Sequence, residues 1–462
     1  MAQRPNILLI MCDQLRHDFA GYVGCRFAQT PTLDRLAHQG TIFKNCIANS
    51  PACTPARIGL ATGMMPHRLG ALTNDCYLRF STPTYYQQLR DHGYYVGCVG
   101  KLDLAKPELD CGIRGNLPRT FSWGFTHPVE CMDRMDTLER EKLKGAFVPA
   151  DPYTHWLENR GLLETFHRDM LDCQEDDRYD RGLHDTYLPT EAWEDTFIAN
   201  RAAQWIEEIP TERPWHLFVS FVGPRDPFNA PHEFAEMFRD AEVGKPIPGP
   251  GTDKPARIRA KSTRRRPSSD TVTRARRQYS ACITAIDRGV ARLIDALKRS
   301  GVLENTVLLF TADHGEMLYD HGLCGNSVAY ESSIRVPLFI SGAGVCRGMV
   351  SDTMVELIDV SQTIRDIADV PRRSDVDAMS FLPVARGKAH SHRRDTVSSL
   401  RSWNALRTNH YKFIDNLNDT AELYDLKEDP AEQKNIYKER QDAAKELRLR
   451  LRDRMMSGGC NR

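Results

Sequence analysis

Short apolar runs recur along the chain, with polar, helix-period stretches between them. Residues 6–11, 94–99, 217–222, 306–311 and 336–340 each read as a strand. Runs that are apolar on both faces belong to strands covered on both sides. The five therefore predict an α/β architecture, a mostly parallel sheet sandwiched by helices. Residues 271–300 place Ile283, Ile286, Val290, Leu293, Ile294 and Leu297 at helical spacing and predict one long helix. Residues 354–370 predict another. Near Pro371 the pattern changes. The polar run Arg372-Arg373-Ser374-Asp375 leads into residues 396–401, 405–415 and 421–426, which read as short antiparallel strands, and a charged helix follows from about Asp442. The expectation is a large α/β domain over residues 1–370 and a smaller C-terminal α+β subdomain, built on an antiparallel sheet, over 371–462.

Charge narrows the partners. The chain carries 62 basic and 62 acidic side chains, which cancel, so bulk attraction to nucleic acid or to a membrane surface is not expected. No apolar run is long enough to span a membrane. Met1 to Pro5 leads straight into the first strand rather than through an export signal. The 13 cysteines are scattered and odd in number. Both features point to a cytoplasmic protein with reduced, mostly buried thiols. Residues 252–277 are rich in Lys and Arg around Arg264-Arg265-Arg266. They read as a solvated loop before the long helix, or else as an anionic-substrate rim or subunit contact.

The chemistry concentrates at Cys53-Thr54-Pro55-Ala56-Arg57, followed by Leu60, Thr62 and Gly63. This stretch resembles the sulfatase signature. The resemblance implies that a maturation enzyme oxidises Cys53 to formylglycine, whose hydrated aldehyde is the nucleophile, with Arg57 one turn on to orient it. Ala56 stands where the family usually has Ser. It is similar to the phosphonate monoester hydrolase branch of the same alkaline phosphatase superfamily. Asn74, in Leu72-Thr73-Asn74-Asp75, sits where that branch has a substrate-touching Asn; read by itself it is equally a turn residue. Leu423-Tyr424-Asp425-Leu426 and Asp429-Pro430 resemble the sulfatase C-terminal subdomain, so the likeness covers nearly the whole chain.

Asp13-Gln14 follows the first strand and Asp313-His314-Gly315-Glu316 follows residues 306–311. In parallel sheets, sites gather at the carboxyl ends of strands. Asp13, Asp313, His314, the modified Cys53 and the carbonyl of Gln14 make a ligand set for one divalent cation. Ca²⁺ fits the oxygen-rich shell, and Mn²⁺ is the alternative because of His314 and the phosphonate-branch likeness.

Three departures from the family pattern stand out. Gly100-Lys101-Leu102-Asp103 keeps Lys101, a candidate for catalysis and for binding a sulfate or phosphonate oxygen, but has Asp103 where sulfatases have His. Arg225 replaces a His in Gly223-Pro224-Arg225-Asp226-Pro227-Phe228, and Asn326 replaces a Lys in Gly322-Leu323-Cys324-Gly325-Asn326. Asp103 reads either as the base that deprotonates the diol or as a structural partner of Lys101 or Arg225. Arg225 stabilises an anion but shuttles no proton. Leaving-group protonation then falls to Lys101, His321 or water. Glu331 and Arg335 read as a structural ion pair. Trp156, Trp193, Tyr153 and Tyr187 are candidates to stack on a substrate ring, or core and rim residues.

Three functions are in view. The first is a formylglycine-dependent hydrolase of sulfate esters, acting on a small anionic ester. The second is a phosphonate monoester or phosphodiester hydrolase, which Ala56 and Asn74 favour. The third is a catalytically impaired binder of sulfated or phosphorylated ligands. The phosphonate-branch likeness also implies a homo-oligomer.

Overall fold

The computed structural model describes residues 4–108, 110–143, 148–175, 182–263 and 267–456. Nine strands form one sheet: β1 Asn6–Asp13, β2 Gly40–Ile47, β3 Tyr95–Lys101, β4 His127–Cys131, β5 Trp215–Pro224, β6 Thr306–Ala312, β7 Arg335–Val336, β8 Leu338–Ser341 and β9 Met349–Glu356. Their order is β4-β3-β5-β1-β6-β8-β2-β7, with β9 beside β2. The block β4-β3-β5-β1-β6 is parallel throughout. β8 runs antiparallel to β6 and to β2, while β9 is parallel to β2. The sheet is thus mixed but mostly parallel, and helices flank it.

β1 lies at the centre of the parallel block because its sequence allows nothing else. Ile7, Leu8, Leu9, Ile10 and Met11 are all fully buried, each worth about 1.5–3 kcal/mol relative to exposure. The register of β1 against β6 sets Cys12 beside Ala312, so Asp13 and Asp313 leave the sheet side by side at its carboxyl edge. Five helices brace the two sheets and the residues between them: α1 Cys53–Thr62, α2 Glu194–Glu208, α3 Ser269–Arg299, α4 Asp359–Ile367 and α5 Gln441–Met456. The helix expected over residues 271–300 is α3, capped by Ser268, whose hydroxyl accepts the Thr271 amide at 3.0 Å. α2 and α3 pack on each other and on β5, and α1 packs on α4.

Three elements differ from the expectation. Residues 354–370 are not one helix, since Met354–Glu356 finish β9 and only Asp359–Ile367 are helical. Residues 336–340 are divided at Pro337, which has no amide for the ladder, into β7 and β8. The expected strand over 405–415 is a hairpin of β11 (Trp403–Arg407) and β12 (Tyr411–Asn416). With β10 (Thr396–Leu400) and β13 (Glu422–Asp425) these make the separate four-stranded antiparallel sheet, and α5 packs on β11 and β12.

Glu331 joins the two sheets. It lies 3.6 Å from Arg335, as expected, and also 3.1 Å from Arg407 and 3.0 Å from Lys412 in the antiparallel sheet. No disulfide joins two described cysteines. No helix among the described residues is long and apolar enough to cross a membrane.

Candidate active site

α1 begins at Cys53, after Ala52 in extended backbone. Pro55 sits in the first turn, where the missing amide costs no helical bond. Gly63 ends the helix with φ +73°, its amide donating to the Gly59 carbonyl at 2.8 Å; a Cβ there would meet Ser361 Oγ at 2.9 Å. Two residues of the signature are therefore helix punctuation. They fix where Cys53 and Arg57 point. All ten residues of α1 are buried, so the cysteine is carried on a rigid, fully packed element.

Arg57 ties that helix to four strands. Its Nε donates to Asp313 Oδ2 at 2.8 Å, Nη2 to Asp13 Oδ2 at 3.4 Å, and Nη1 to the Lys101 carbonyl at 2.6 Å and to Ser220 Oγ at 2.8 Å. These acceptors stand at or beyond the carboxyl ends of β1, β3 and β6 and within β5. Arg57 is thereby saturated with protein partners.

Asp13, Cys53, Asp313 and His314 are fully buried and bring their potential ligand atoms within 4.8 Å of one another. Cys53 Sγ lies 3.3 Å from His314 Nε2 and 3.8 Å from Asp13 Oδ1. His314 Nδ1 donates to the Gly315 carbonyl at 2.9 Å, which leaves Nε2 facing the cluster. Burial pushes the imidazole toward neutrality, but Asp313 and Cys53 outweigh it and raise its pKa to about 10. Burial likewise pushes the Asp13 carboxyl up, yet Lys101, Arg225 and Arg57 hold it well below the usual carboxylate range. The cluster therefore retains a proton on His314 at a point where two carboxyl side chains converge. A divalent cation fits this donor set and would displace that proton. Gln14 has φ +68° and donates its amide nitrogen to Glu316, so its amide oxygen is the atom available to a cation.

A wall of cations lies beside the cluster. Lys101 Nζ is 2.5 Å from Asp13 Oδ2, 3.0 Å from Asp133 Oδ2 and 3.5 Å from Asp103 Oδ2. Arg225 Nη1 is 3.0 Å from Cys53 Sγ, and its Nε is 3.5 Å from Asp133 Oδ2. Asn74 Oδ1 accepts the Thr54 amide at 3.2 Å, which brings it beside the start of α1. Asn326 Nδ2 lies 3.0 Å and 3.2 Å from the two ring nitrogens of His314.

Asp103 adopts φ +56° and faces two lysines, Lys101 at 3.5 Å and Lys106 at 3.6 Å. Burial raises its pKa, but Lys101 and then Lys106 outweigh it and lower the carboxyl. That makes it a poor proton acceptor and favours the paired reading over the base. His321 is not brought to the cluster. Its ring stacks on Tyr330 with centroids 4.5 Å apart, and its amide donates to the Ile247 carbonyl at 2.9 Å. Burial, then Lys254, drops its pKa to about 3, so it carries no proton to give near neutrality. Of the four aromatic candidates, Tyr153 and Trp193 are core residues, Trp156 is half-buried and Tyr187 is exposed. Arg264-Arg265-Arg266 lies outside the described residues.

Four residues of this site were given no role in the sequence. Asp133 and Lys106 complete the charge network, Ser220 holds Arg57, and Glu316 holds Gln14. Asp133 had a readable signal, since it stands just before the helix Arg134–Leu143 and its Oδ1 accepts the Asp136 amide of the first turn at 3.0 Å. Ser220 is a hydroxyl inside an otherwise apolar central strand, which also asks for a partner.

Known proteins share this fold and part of the sequence. The sulfatase family model matches residues 5–370, and the model described as N-sulphoglucosamine sulphohydrolase, C-terminal, matches residues 319–458. An arylsulfatase of Clostridium perfringens is 27% identical over 469 residues, covering 97% of this chain and 94% of that protein. A choline-sulfatase of Rhizobium meliloti is 29% identical over 455 residues, covering 94% and 82%. A phosphonate monoester hydrolase of Agrobacterium radiobacter has the same fold, with a TM-score of 0.82 at 22% identity over 98% of this chain and 96% of that one. A family model that spans most of the chain, and a cysteine-led helix set against paired carboxylates at the sheet edge, show that the chain belongs to the sulfatase family of the alkaline phosphatase superfamily.

Proposed function

We propose that the protein is a metal-dependent hydrolase of sulfate esters that uses a formylglycine made from Cys53. The observation that carries this reading is the position of Cys53 Sγ, at the first residue of a buried helix, 3.3 Å from His314 Nε2 and 3.0 Å from Arg225 Nη1. When present, the cation supplies Lewis acidity and the aldehyde supplies the attacking oxygen. Asp13, Asp313, His314 and the Gln14 carbonyl would hold the cation, Ca²⁺ by its oxygen donors, with Mn²⁺ as the alternative.

The remaining roles belong to the chain's own side chains. Arg57 orients Asp13 and Asp313 and is too fully engaged to reach substrate. Arg225, with one fifth of its side chain exposed, is the cation that meets the incoming anion and the charge developing on it. Lys101 neutralises Asp13 and adds positive potential behind the transferring group. Asp103 and Asp133 set the direction of Lys101 and Arg225. Among the described groups touching Cys53 Sγ, none titrates near neutrality, and Lys101 is held well above its ordinary value because Asp103, Asp13 and Asp133 outweigh its burial. Such a wall suits a leaving group that departs as a stabilised anion, as an aryl oxide does, with water as the proton source.

One observation favours a second reading, a hydrolase of phosphonate monoesters or phosphodiesters. Asn74 is pinned to the Thr54 amide beside the nucleophile position, where that branch has a substrate-touching Asn, and Ala56 follows the same branch. The test is turnover of a matched pair, an aryl sulfate and an aryl phosphonate monoester. It uses metal-saturated protein produced with its maturation partner, with conversion of Cys53 confirmed by mass. Faster sulfate turnover supports the proposal, and faster phosphonate turnover replaces it with the second reading. Hydrolysis of neither, with no aldehyde despite a competent maturation system, leaves a binder of anionic ligands.

A further inference from the structure

A second set of metal-type donors lies away from the Cys53 cluster. Asp169 and Cys173 are four residues apart on the helix Leu163–Glu175, so both face one side of it, and both are fully buried. His184 comes to them from the following segment. The three ligand atoms lie within 4.8 Å of one another, with His184 Nε2 2.8 Å from Asp169 Oδ1 and 3.9 Å from Cys173 Sγ. The second carboxylate oxygen of Asp169 is fixed by Thr186 Oγ1 and by Asn229 Nδ2 at 3.0 Å, so Oδ1 is the one aimed at the histidine. Gly182 passes close by, where a Cβ would collide with the Pro227 Cβ and stand 3.2 Å from Cys173 Sγ.

We propose that Asp169, Cys173 and His184 bind Zn²⁺. One thiolate, one imidazole and one carboxylate suit a borderline-soft cation and exclude Ca²⁺ or Mg²⁺ as the natural occupant. Tetrahedral bonds of about 2.0 Å to N and O and about 2.3 Å to S separate ligand atoms by roughly 3.3–3.6 Å. From the observed separations, His184 Nε2 reaches that arrangement with a shift of about half an ångström relative to Asp169 Oδ1 and to Cys173 Sγ. His184 keeps about a quarter of its side chain exposed. Thr186 and Asn229, which hold the second oxygen of Asp169, are the outer support that ligating groups require.

The site also has a mechanical connection. Asn229 Oδ1 accepts from Arg134 Nη1 at 2.6 Å, and Arg134 Nη2 donates to the carbonyls of Arg225 at 3.2 Å and Pro227 at 3.0 Å. Zinc at Asp169 would thus stiffen the segment that carries Arg225.

The test uses cobalt as a spectroscopic substitute on the full chain. Metal-stripped protein is titrated with Co²⁺ in the parent, in Cys53→Ser and in Cys173→Ser, and zinc per chain is measured by mass spectrometry in the parent and in His184→Ala. The expected result is a thiolate-to-cobalt charge-transfer band that survives Cys53→Ser and disappears in Cys173→Ser, with one zinc fewer per chain in His184→Ala. Because His184 is partly exposed, that variant folds even if the buried Cys173→Ser does not. A band that disappears with Cys53→Ser alone, or unchanged zinc in His184→Ala, overturns the proposal.

Discussion

Replacing Asp133 by Asn tests the charge network at its centre. Asp133 Oδ2 lies 3.0 Å from Lys101, 3.5 Å from Lys106 and 3.5 Å from Arg225, and the side chain is almost fully buried. At an effective dielectric of 20, one unit pair 3.0 Å apart interacts by roughly 5–6 kcal/mol. Most of that is offset by the desolvation of both charges. Measured losses on removing one partner of a buried pair are about 3–5 kcal/mol. The lower end applies here, because Lys101 keeps Asp13 and Asp103, and Lys106 keeps Asp136 at 2.6 Å. Arg225 loses the carboxylate nearest its Nε. The expected loss is therefore about 3 kcal/mol in urea unfolding, together with a fall in kcat on the order of 10²-fold as Arg225 leaves the position that faces Cys53.

The acid limb carries the sign. Burial raises the Asp133 carboxyl, but Arg225, Lys101 and Lys106 outweigh it and hold it well below its ordinary value. A carboxylate depressed in the folded state stabilises the fold above its unfolded pKa, about 3.9, and loses that contribution as pH falls through the folded value. The stability gap between parent and Asp133→Asn should be flat from neutrality to about pH 4 and should close below it. Unchanged kcat with lost stability would make Asp133 a purely structural residue. No change in either would refute the network.

Two further outcomes are expected. Asp103→Asn should lower turnover by less than about tenfold with metal content intact, because Lys101 retains Asp13 and Asp133; a fall of about 10³-fold would restore Asp103 as the base. His314, raised to about 10, is protonated at pH 8 in metal-free protein, so cation binding there should release close to one proton. Calorimetry in buffers of different ionisation enthalpy measures this, and heats independent of buffer would contradict the assignment of His314 as a ligand.

The residues that announce themselves in the sequence do so through local physics. The apolar runs of β1, β3, β5 and β6 needed burial on both faces, which implied the parallel block. The helical spacing of Ile283 to Leu297 implied α3. Cys53, Pro55, Arg57 and Gly63 are a thiol at a helix start, a proline in the first turn, a basic side chain one turn on and a helix stop, all within one element. Their meaning does not depend on the rest of the chain. Local pattern failed where tertiary pairing overrode it. Met354 and Val355 have apolar side chains that serve a helix or a strand equally, and β2 claimed them, with Glu356, for the sheet. Pro337 divided a run that hydropathy alone reads as continuous.

The chain by itself thus determined the fold class, the signature helix and the acidic pairs beyond β1 and β6. Only the tertiary structure decided which charges meet. Lys101 and Asp133 are 32 residues apart, and Asp133 and Arg225 still further, so no spacing rule links them. Their pairing is set by the order β4-β3-β5-β1-β6, which stacks the carboxyl ends of strands distant in sequence along one edge. The same stacking left Asp103 between two lysines and His321 against Tyr330, which is why the roles of both depend on their surroundings. A side chain's identity fixes the chemistry it is capable of. Its pKa and its partner are properties of the field around it, and that field exists only once the sheet has formed.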